Sequence, residues 1–369
     1  VELQGCIIQL QAKSLLTLLF GRETEDQKVS NLKRYGNLFE KAFSKGNLYS
    51  AYLDAHKGKR KKRVCFEFEK NLGSNLGDLY NRIHNETYRP DPYFKFTVYE
   101  PKERLIHAPS FRDIVTQHAI YRIIYDIFDR TFITASFACR SGYGTHKASD
   151  YTQCALRQYS GDLYTLKLDI RKFFYSINRN ILRNLIERKI KEKKLVDVMM
   201  LFAEKEGIAG IPIGNLLSQI YALIYLNPLD HFIKRTLKIE HYVRYVDDFI
   251  LFGLIRNQCL DLRAIITCFL KEKLCLELSK STIQKIKRGV NFVGYRTWQN
   301  KRFIRKHSLY KFNKSVKKKN YESIASLLGH AKKTNSLRYM IGAIKEANEN
   351  GNHIPIPKNY RSIYHTYAA

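Results

Sequence analysis

Two adjacent acids, Asp247 and Asp248, stand inside the run HYVRYVDDFILF, whose other members, apart from His241 and Arg244, are apolar or aromatic. Like charges a few ångströms apart repel, and apolar flanks offer no water, so such a pair is costly until something neutralises it. A third acid, Asp169, ends the short strand-like stretch Leu163 to Leu168, 78 residues before Asp247. Three carboxylates at strand ends are the donor set for two Mg²⁺ ions, with Mn²⁺ as the alternative. Such ions take hard oxygen ligands and clamp the attacking and leaving oxygens of an in-line phosphoryl displacement. The competing reading of an Asp-Asp pair is an ordinary hairpin turn. The apolar strand pair around it and the upstream strand-end acid favour metals.

The elements that must position these acids read as a mixed chain of class α+β. Residues 241–252 form two β-rich runs around the acid pair. Gly214 to Lys234 is a helix apolar nearly all round, which belongs in a core. Asn31 to Ala55, Phe66 to His84, Phe111 to Thr131 and Asn180 to Met200 carry helical patterns, the second weakened by Gly73 and Gly77. Between them YRPDPYFKFTVYEPKERLIHAP alternates, with Phe94, Phe96 and Val98 on one side and Lys95, Thr97 and Tyr99 on the other. This predicts a strand pair with a tight turn near Pro101 to Glu103. Residues 1–30 read as an N-terminal extension without the marks of a signal peptide.

Composition sets the partner class. The chain has 369 residues, 44% hydrophobic, with 64 Lys and Arg against 34 Asp and Glu, a formal charge of +30. The apolar content excludes global disorder, and no apolar run is long enough to predict a membrane span. The surplus favours a polyanion, because each Lys or Arg set on a phosphate releases counterions. It is concentrated in Lys57 to Arg63, which includes Lys59, Arg60, Lys61, Lys62 and Arg63, and in residues 301–369, with 15 Lys and Arg against 3 acids. There Lys311, Lys314 and Lys318 are spaced as one helical stripe, with Lys317 and Lys319 beside it. Seven scattered cysteines, without a Cys-x-x-Cys pair, read as reduced core residues of a cytoplasmic protein.

Tyr245-Val246-Asp247-Asp248 resembles the YxDD motif of reverse transcriptases, and LKLDIRKFFYSI resembles their preceding metal-binding motif. The resemblance covers roughly residues 31–345 and is to the group II intron-like and diversity-generating retroelement members. It implies a right-hand polymerase fold: fingers over 31–165, a palm of antiparallel sheet plus helices over 166–290, a primer grip over 291–300 and an α-helical thumb and tail over 301–369. It implies that Asp169 and Asp247 bind both metals, that Ile170 is among the ligands and that Asp248 is an auxiliary acid. Phe174 becomes the aromatic that stacks under the deoxyribose and excludes a 2′-hydroxyl. Strand neighbours point oppositely, so one of Phe173 and Phe174 is expected in the core. In PKERLIHAPSFRDIVTQHAI the resemblance makes Lys102, Arg104 and Arg112 contacts of the nucleoside triphosphate, and forked guanidinium groups suit phosphate oxygens. Lys280 matches a general acid or phosphate contact, and Gly294 and Tyr295 in NFVGYR match the primer grip.

One segment departs from most of the family. GIPIGNLLSQIYA carries Ile213-Gly214 where Gln-Gly is usual, and Ser218-Gln219 where Ser-Pro is usual. Both resemble reverse transcriptases of diversity-generating retroelements, whose copying is error-prone at adenines. An apolar branched side chain cannot hydrogen-bond beside the nascent pair, so a polar geometry check is lost. The alternative is that Ile213 only packs against the fingers. The resemblance thus implies mutagenic cDNA synthesis from a structured template RNA. The implied partners are template RNA, RNA–DNA duplex, deoxynucleoside triphosphates and a small basic accessory protein, in a cytoplasm of bacterial or phage-encoded origin. The competing functions are an antiphage-defence reverse transcriptase with its own non-coding RNA and a catalytically inactive RNA-binding scaffold. The stretch after NFVGYR reads as too short for an RNase H domain, so a polymerase without a nuclease is expected.

Overall fold

The computed structural model describes residues 33–99, 103–205, 207, 209–357 and 360, so the expected extension at 1–30 and Lys102 lie outside the described residues. The described residues begin with helices α1 (Leu38–Phe43), α2 (Lys45–His56), α3 (Arg63–Lys70) and α4 (Leu72–His84), then strands β1 (Phe94–Val98) and β2 (Arg104–Ala108). Next come α5 (Phe111–Asp129), α6 (Thr145–Arg157), β3 (Tyr164–Ile170), α7 (Phe173–Ser176), α8 (Arg179–Glu187), α9 (Lys193–Leu201) and α10 (Leu216–His231). The rest is β4 (Tyr242–Tyr245), β5 (Asp248–Leu254), α11 (Arg256–Leu274), β6 (Leu278–Lys285), β7 (Val290–Phe292), β8 (Tyr295–Thr297), β9 (Arg302–Ile304), α12 (Lys306–Lys317), α13 (Tyr321–Ala331) and α14 (Ser336–Glu349). No described helix is long and apolar enough to cross a membrane.

Two compact units emerge, one from residues 1–139, 169–238 and 261–280, the other from 140–168, 239–260 and 281–369. Each gathers three separate stretches of chain, so neither coincides with a single contiguous segment of the sequence. In the first unit α5 is the hub, packed against α1, α2 and α10. Ser110 caps it by accepting from Asp113 N at 3.2 Å. The fully buried Asp113 carboxylate in turn accepts Tyr88 Oη at 2.6 Å and Asp91 N at 2.8 Å. Burial pushes the Asp113 carboxyl above its ordinary range, and these donors oppose the rise. The apolar α10 is buried over most of its length and passes through Pro228 before loosening into a π-helix at Phe232–Thr236. Phe232 there stacks on Phe269 with ring centroids 4.3 Å apart.

Several expected helices are shorter than their patterns. The stretch 31–55 is cut at Ser44, whose extended backbone and hydroxyl, accepting from Asn47 N, start α2 afresh. Phe66 to His84 breaks at Asn71, while Gly73 and Gly77 stay inside α4. Asn180 to Met200 splits into α8 and α9. Glu192, at the start of α9, reaches across to accept Leu38 N and Phe39 N, capping α1 where Asn37 supplies no side-chain cap. A carboxylate at a helix N-terminus satisfies orphan amides and opposes the dipole. No local pattern announces a cap supplied from 154 residues away.

In the second unit β7, β8 and β9 form an antiparallel sheet, and α12, α13 and α14 close over a core of Phe312, Val316, Ile324, Leu328, Met340, Ile341 and Ile344. The acid-bearing sheet orders its strands β4-β5-β3-β6. The cysteine expectation needs correction: Cys65 and Cys259 are buried, but Cys154 and Cys275 are exposed. So does the basic stripe. α12 ends at Lys317, Lys318 is its C-cap and Lys319 turns away at φ 53°, so Lys318 does not continue the helical row of Lys311 and Lys314.

Candidate active site

The YVDD segment forms a tight hairpin in the second unit. Tyr242–Tyr245 and Asp248–Leu254 pair antiparallel, with Tyr245 opposite Asp248, leaving Val246 and Asp247 as the two turn residues. Two-residue hairpin loops favour Gly, Asn or Asp where φ is positive. Here Val246 takes φ 57°, a conformation that a β-branched residue holds only when its surroundings impose it. Arg244 is one such constraint: its side chain is buried, and Nη1 donates to Val246 O at 2.9 Å. The turn therefore projects Asp247 and Asp248 from a clamped, strained base, while Phe249, Ile250, Leu251 and Phe252 run into the core.

Asp248 has a specific partner. Lys167 Nζ lies 2.7 Å from its Oδ2 and 2.7 Å from Asn291 O, and 5.7 Å from the Phe292 ring centroid. In the first unit, the Ser279 hydroxyl donates to the Asp169 carboxylate. Asp169 is the penultimate residue of β3, followed by the buried Ile170. Among the described residues no three His, Cys, Asp or Glu side chains gather as a preformed metal cluster. The donor chemistry nevertheless fits Mg²⁺ or Mn²⁺: Asp169, the Ile170 carbonyl, Asp247 and Asp248 offer only hard oxygens.

The first unit brings three other expected residues together around one loop. Phe173 and Phe174 lie on a single helical turn, not on a strand, and the roughly 100° step per residue separates them. Phe173 is buried against Tyr225, with ring centroids 6.3 Å apart, whereas Phe174 is only partly buried. Phe174 O accepts Ile211 N at 2.8 Å, which ties this turn to the loop carrying Ile213 and Gly214. On the loop's other side His107 N donates to Ile213 O at 2.7 Å, adding the loop to the edge of β2. Gly214 sits at φ 119°, and a Cβ there would meet His107 O at 2.8 Å and Ile106 Cγ2 at 3.0 Å. The glycine is required by this close approach. Asn215 and Ser218 then anchor the start of α10, through Tyr93 Oη at 2.8 Å and Pro212 O at 2.6 Å.

The remaining expected residues fall into different surroundings. Arg104 pairs opposite Val98 on the β1–β2 ribbon and is exposed, sharing a face with Phe94 and Phe96. Arg112 is engaged in the fold: its Nη2 donates to Arg89 O and Asp91 Oδ1, both at 2.8 Å, and its guanidinium lies over Tyr88. Lys280 is exposed on β6. Gly294 occupies the β7–β8 turn at φ 91°, with His330 where a Cβ would go. Tyr295 is buried, stacks on His330 at 4.4 Å and donates to His330 O at 2.9 Å, and burial pushes its hydroxyl up to about 12. Arg60, Lys61 and Lys62 are exposed between α2 and α3 and Arg63 is exposed at the start of α3, while Lys59 is partly buried and its ammonium pKa is lowered by that burial. Lys314, Lys317 and Lys318 are exposed, and Lys311 half so.

Sequence reasoning passed over Lys167, Arg244 and Ser279. Lys167 had a signal, since strand alternation puts it on the same side of β3 as Asp169, two residues on. Arg244 stood as a charge inside an apolar strand. Nothing local marked Ser279.

Comparison with known proteins matches residues 95–297 to the family described as reverse transcriptase (RNA-dependent DNA polymerase), more than half of the chain. Group II intron-encoded protein LtrA of Lactococcus lactis subsp. cremoris is 25% identical over 228 residues, 58% of this chain and 36% of that protein. Protein YkfC of Escherichia coli strain K12 is 23% identical over 296 residues, 65% of this chain and 74% of its own length. A telomerase from Candida albicans, solved with a fragment of telomeric RNA, is 13% identical, covers 77% of this chain and 67% of its own, and has a TM-score of 0.46. The chain spans about a third of the length of LtrA. With the family match covering the ribbon, the Ile213 loop, the sheet and the acid hairpin, this chain belongs to the reverse transcriptase family and has the mixed α+β make-up of a right-hand polymerase.

Proposed function

We propose that the chain is an RNA-directed DNA polymerase that extends a primer with deoxynucleotides on an RNA template. The observation that carries this reading is the strained, Arg244-clamped turn that presents Asp247 and Asp248. Divalent cations, Mg²⁺ or Mn²⁺, held by Asp169, Ile170 O and Asp247 would supply the Lewis acidity for in-line attack of a primer 3′-hydroxyl on an α-phosphate. Around them the chain's own groups do the positioning. Phe174 offers a partly exposed ring for the sugar, and Gly214 allows the Ile213 loop to lie against β2. Arg104 places a guanidinium on the ribbon for phosphate, with Lys102 and Lys280 as further cations. Arg60 to Arg63, with Lys314, Lys317 and Lys318, suit the backbone of RNA or of an RNA–DNA duplex. Asp169→Asn and Asp247→Asn should each abolish primer extension while leaving RNA binding within about twofold; extension that persists in Mg²⁺ would remove the assignment.

The finer reading is mutagenic reverse transcription in a diversity-generating retroelement, working with a structured RNA and a small basic accessory protein. Ile213 favours it, because an apolar side chain at this loop offers no hydrogen bond to a mispaired base. Sequencing cDNA made on a defined RNA tests it. Errors concentrated at template adenines, reduced by Ile213→Gln, support the retroelement role. Faithful copying at adenines favours a defence-type enzyme with a dedicated RNA, and RNA binding without any cDNA favours a scaffold.

A further inference from the structure

Lys167, on β3, is a cation paired with the acid hairpin, and no part of the polymerase reading has used it. Its Nζ bridges Asp248 Oδ2 and Asn291 O, each at 2.7 Å, with both members of the ion pair about a quarter exposed, at 23% and 24%. The lysine comes from β3, an interior strand in the order β4-β5-β3-β6, so its backbone is held on both sides. Asn291 lies in β7, whose turn with β8 carries Gly294. An ammonium fixed by two rigid acceptors is harder to displace than a surface lysine, whose pairing is weak and screened.

We propose that Lys167 is a positioning residue that serves as the resident counter-cation of Asp248, withholding this carboxylate from divalent ions so that cations settle on the other carboxylates. The inference rests on the polymerase reading for the presence of a cation site. A divalent ion approaching Asp248 meets the Lys167 charge at close range, and it must either push the ammonium aside or accept the repulsion. Asp248 thereby becomes an orienting acid, and the free enzyme binds cations less tightly than its carboxylates would allow alone. Replacing the ammonium with a neutral side chain should tighten divalent binding by about tenfold or more.

The test is Mn²⁺ titration of the full chain without nucleotide, followed by electron paramagnetic resonance. Lys167→Met should tighten Mn²⁺ about tenfold, and Lys167→Arg should stay within about twofold of wild type. Lys167→Gln removes the charge while keeping a donor for Asn291 O, so it gives the same gain should the Met variant fold poorly. In the Lys167→Met background, Asp248→Asn should cancel the gain, whereas in wild type it leaves the Lys167 charge unopposed and should weaken Mn²⁺ binding. Unchanged or weaker Mn²⁺ binding in both neutral variants would overturn the role of Lys167 alone. Absence of Mn²⁺ binding by the wild-type chain would overturn the cation site itself and this inference with it.

Discussion

Gly214→Ala offers a sharp test of how the Ile213 loop is held. The residue sits at φ 119°, outside the regions open to a residue with a Cβ, and forcing alanine to stay there costs about 1–3 kcal/mol. The new Cβ would lie 2.8 Å from His107 O and 3.0 Å from Ile106 Cγ2. Ile106 can turn its methyl away, but the His107 carbonyl is backbone. Moving it pulls at the 2.7 Å bond from His107 N to Ile213 O, whose loss costs about 1 kcal/mol more. The sum is a destabilisation of about 2–4 kcal/mol, read as a lower urea midpoint with little change in slope. Gly73→Ala is the internal control: it lies within α4 with nothing within 4 Å of an added Cβ, and it should gain about 0.5–1 kcal/mol. A Gly214→Ala chain less than about 1 kcal/mol weaker than wild type would refute the claim that this glycine is required by the approach of β2.

Three further perturbations follow from the same contacts. Burial raises the Asp150 carboxyl, but hydrogen bonds from Lys333 and Arg302 lower it by more, leaving it below its ordinary value. A depressed acid stabilises the fold above its unfolded pKa and loses that contribution as pH falls through the folded one. Asp150→Asn, which leaves Arg302 the neutral acceptors Ser149 O and Gln153 Oε1 but no counter-charge, should therefore cost about 1 kcal/mol at pH 6, discounted for the part-exposed Asp150, and progressively less below about pH 4 in urea titrations. An equal cost at pH 3 and pH 6 would contradict the ion pair. Val246→Gly should relieve the φ 57° strain and, after glycine's added chain entropy, raise stability by about 1 kcal/mol; a loss would show the turn to be unstrained. Tyr295→Phe keeps the ring stack on His330 but loses the hydroxyl's bond to His330 O, for a cost of about 1 kcal/mol with primer extension within about twofold. A large loss of extension at unchanged stability would place this hydroxyl on the primer.

What could be read from sequence was what local pattern determines. The two β-rich runs flanking Asp247 and Asp248 located β4 and β5, because short apolar stretches around a tight turn pair as strands. The segment after Gly214, apolar nearly all round a helix, located α10. Phe173 and Phe174 separated into a buried and an accessible ring, although a helical turn, not a strand, separates them. Where contacts come from far along the chain, pattern failed. Helix breaks at Ser44 and Asn71 depend on caps and single backbone angles, and the cap on α1 comes from Glu192. Arg112 looks like a phosphate ligand until Asp91 and Tyr88 are folded beside it. Tyr295 looks like a surface primer contact until α13 brings His330 against its ring. Lys167 could have been noticed from strand alternation, but its partners, Asp248 and Asn291, are 81 and 124 residues away.

The central claim is that this chain joins deoxynucleotides along RNA, and it is tested most directly by incubating the purified protein with a primed RNA of defined sequence, deoxynucleoside triphosphates and Mg²⁺. The account predicts a DNA product complementary to the RNA, made by wild type and absent with Asp247→Asn. RNA binding that persists while neither Mg²⁺ nor Mn²⁺ supports any extension would contradict it.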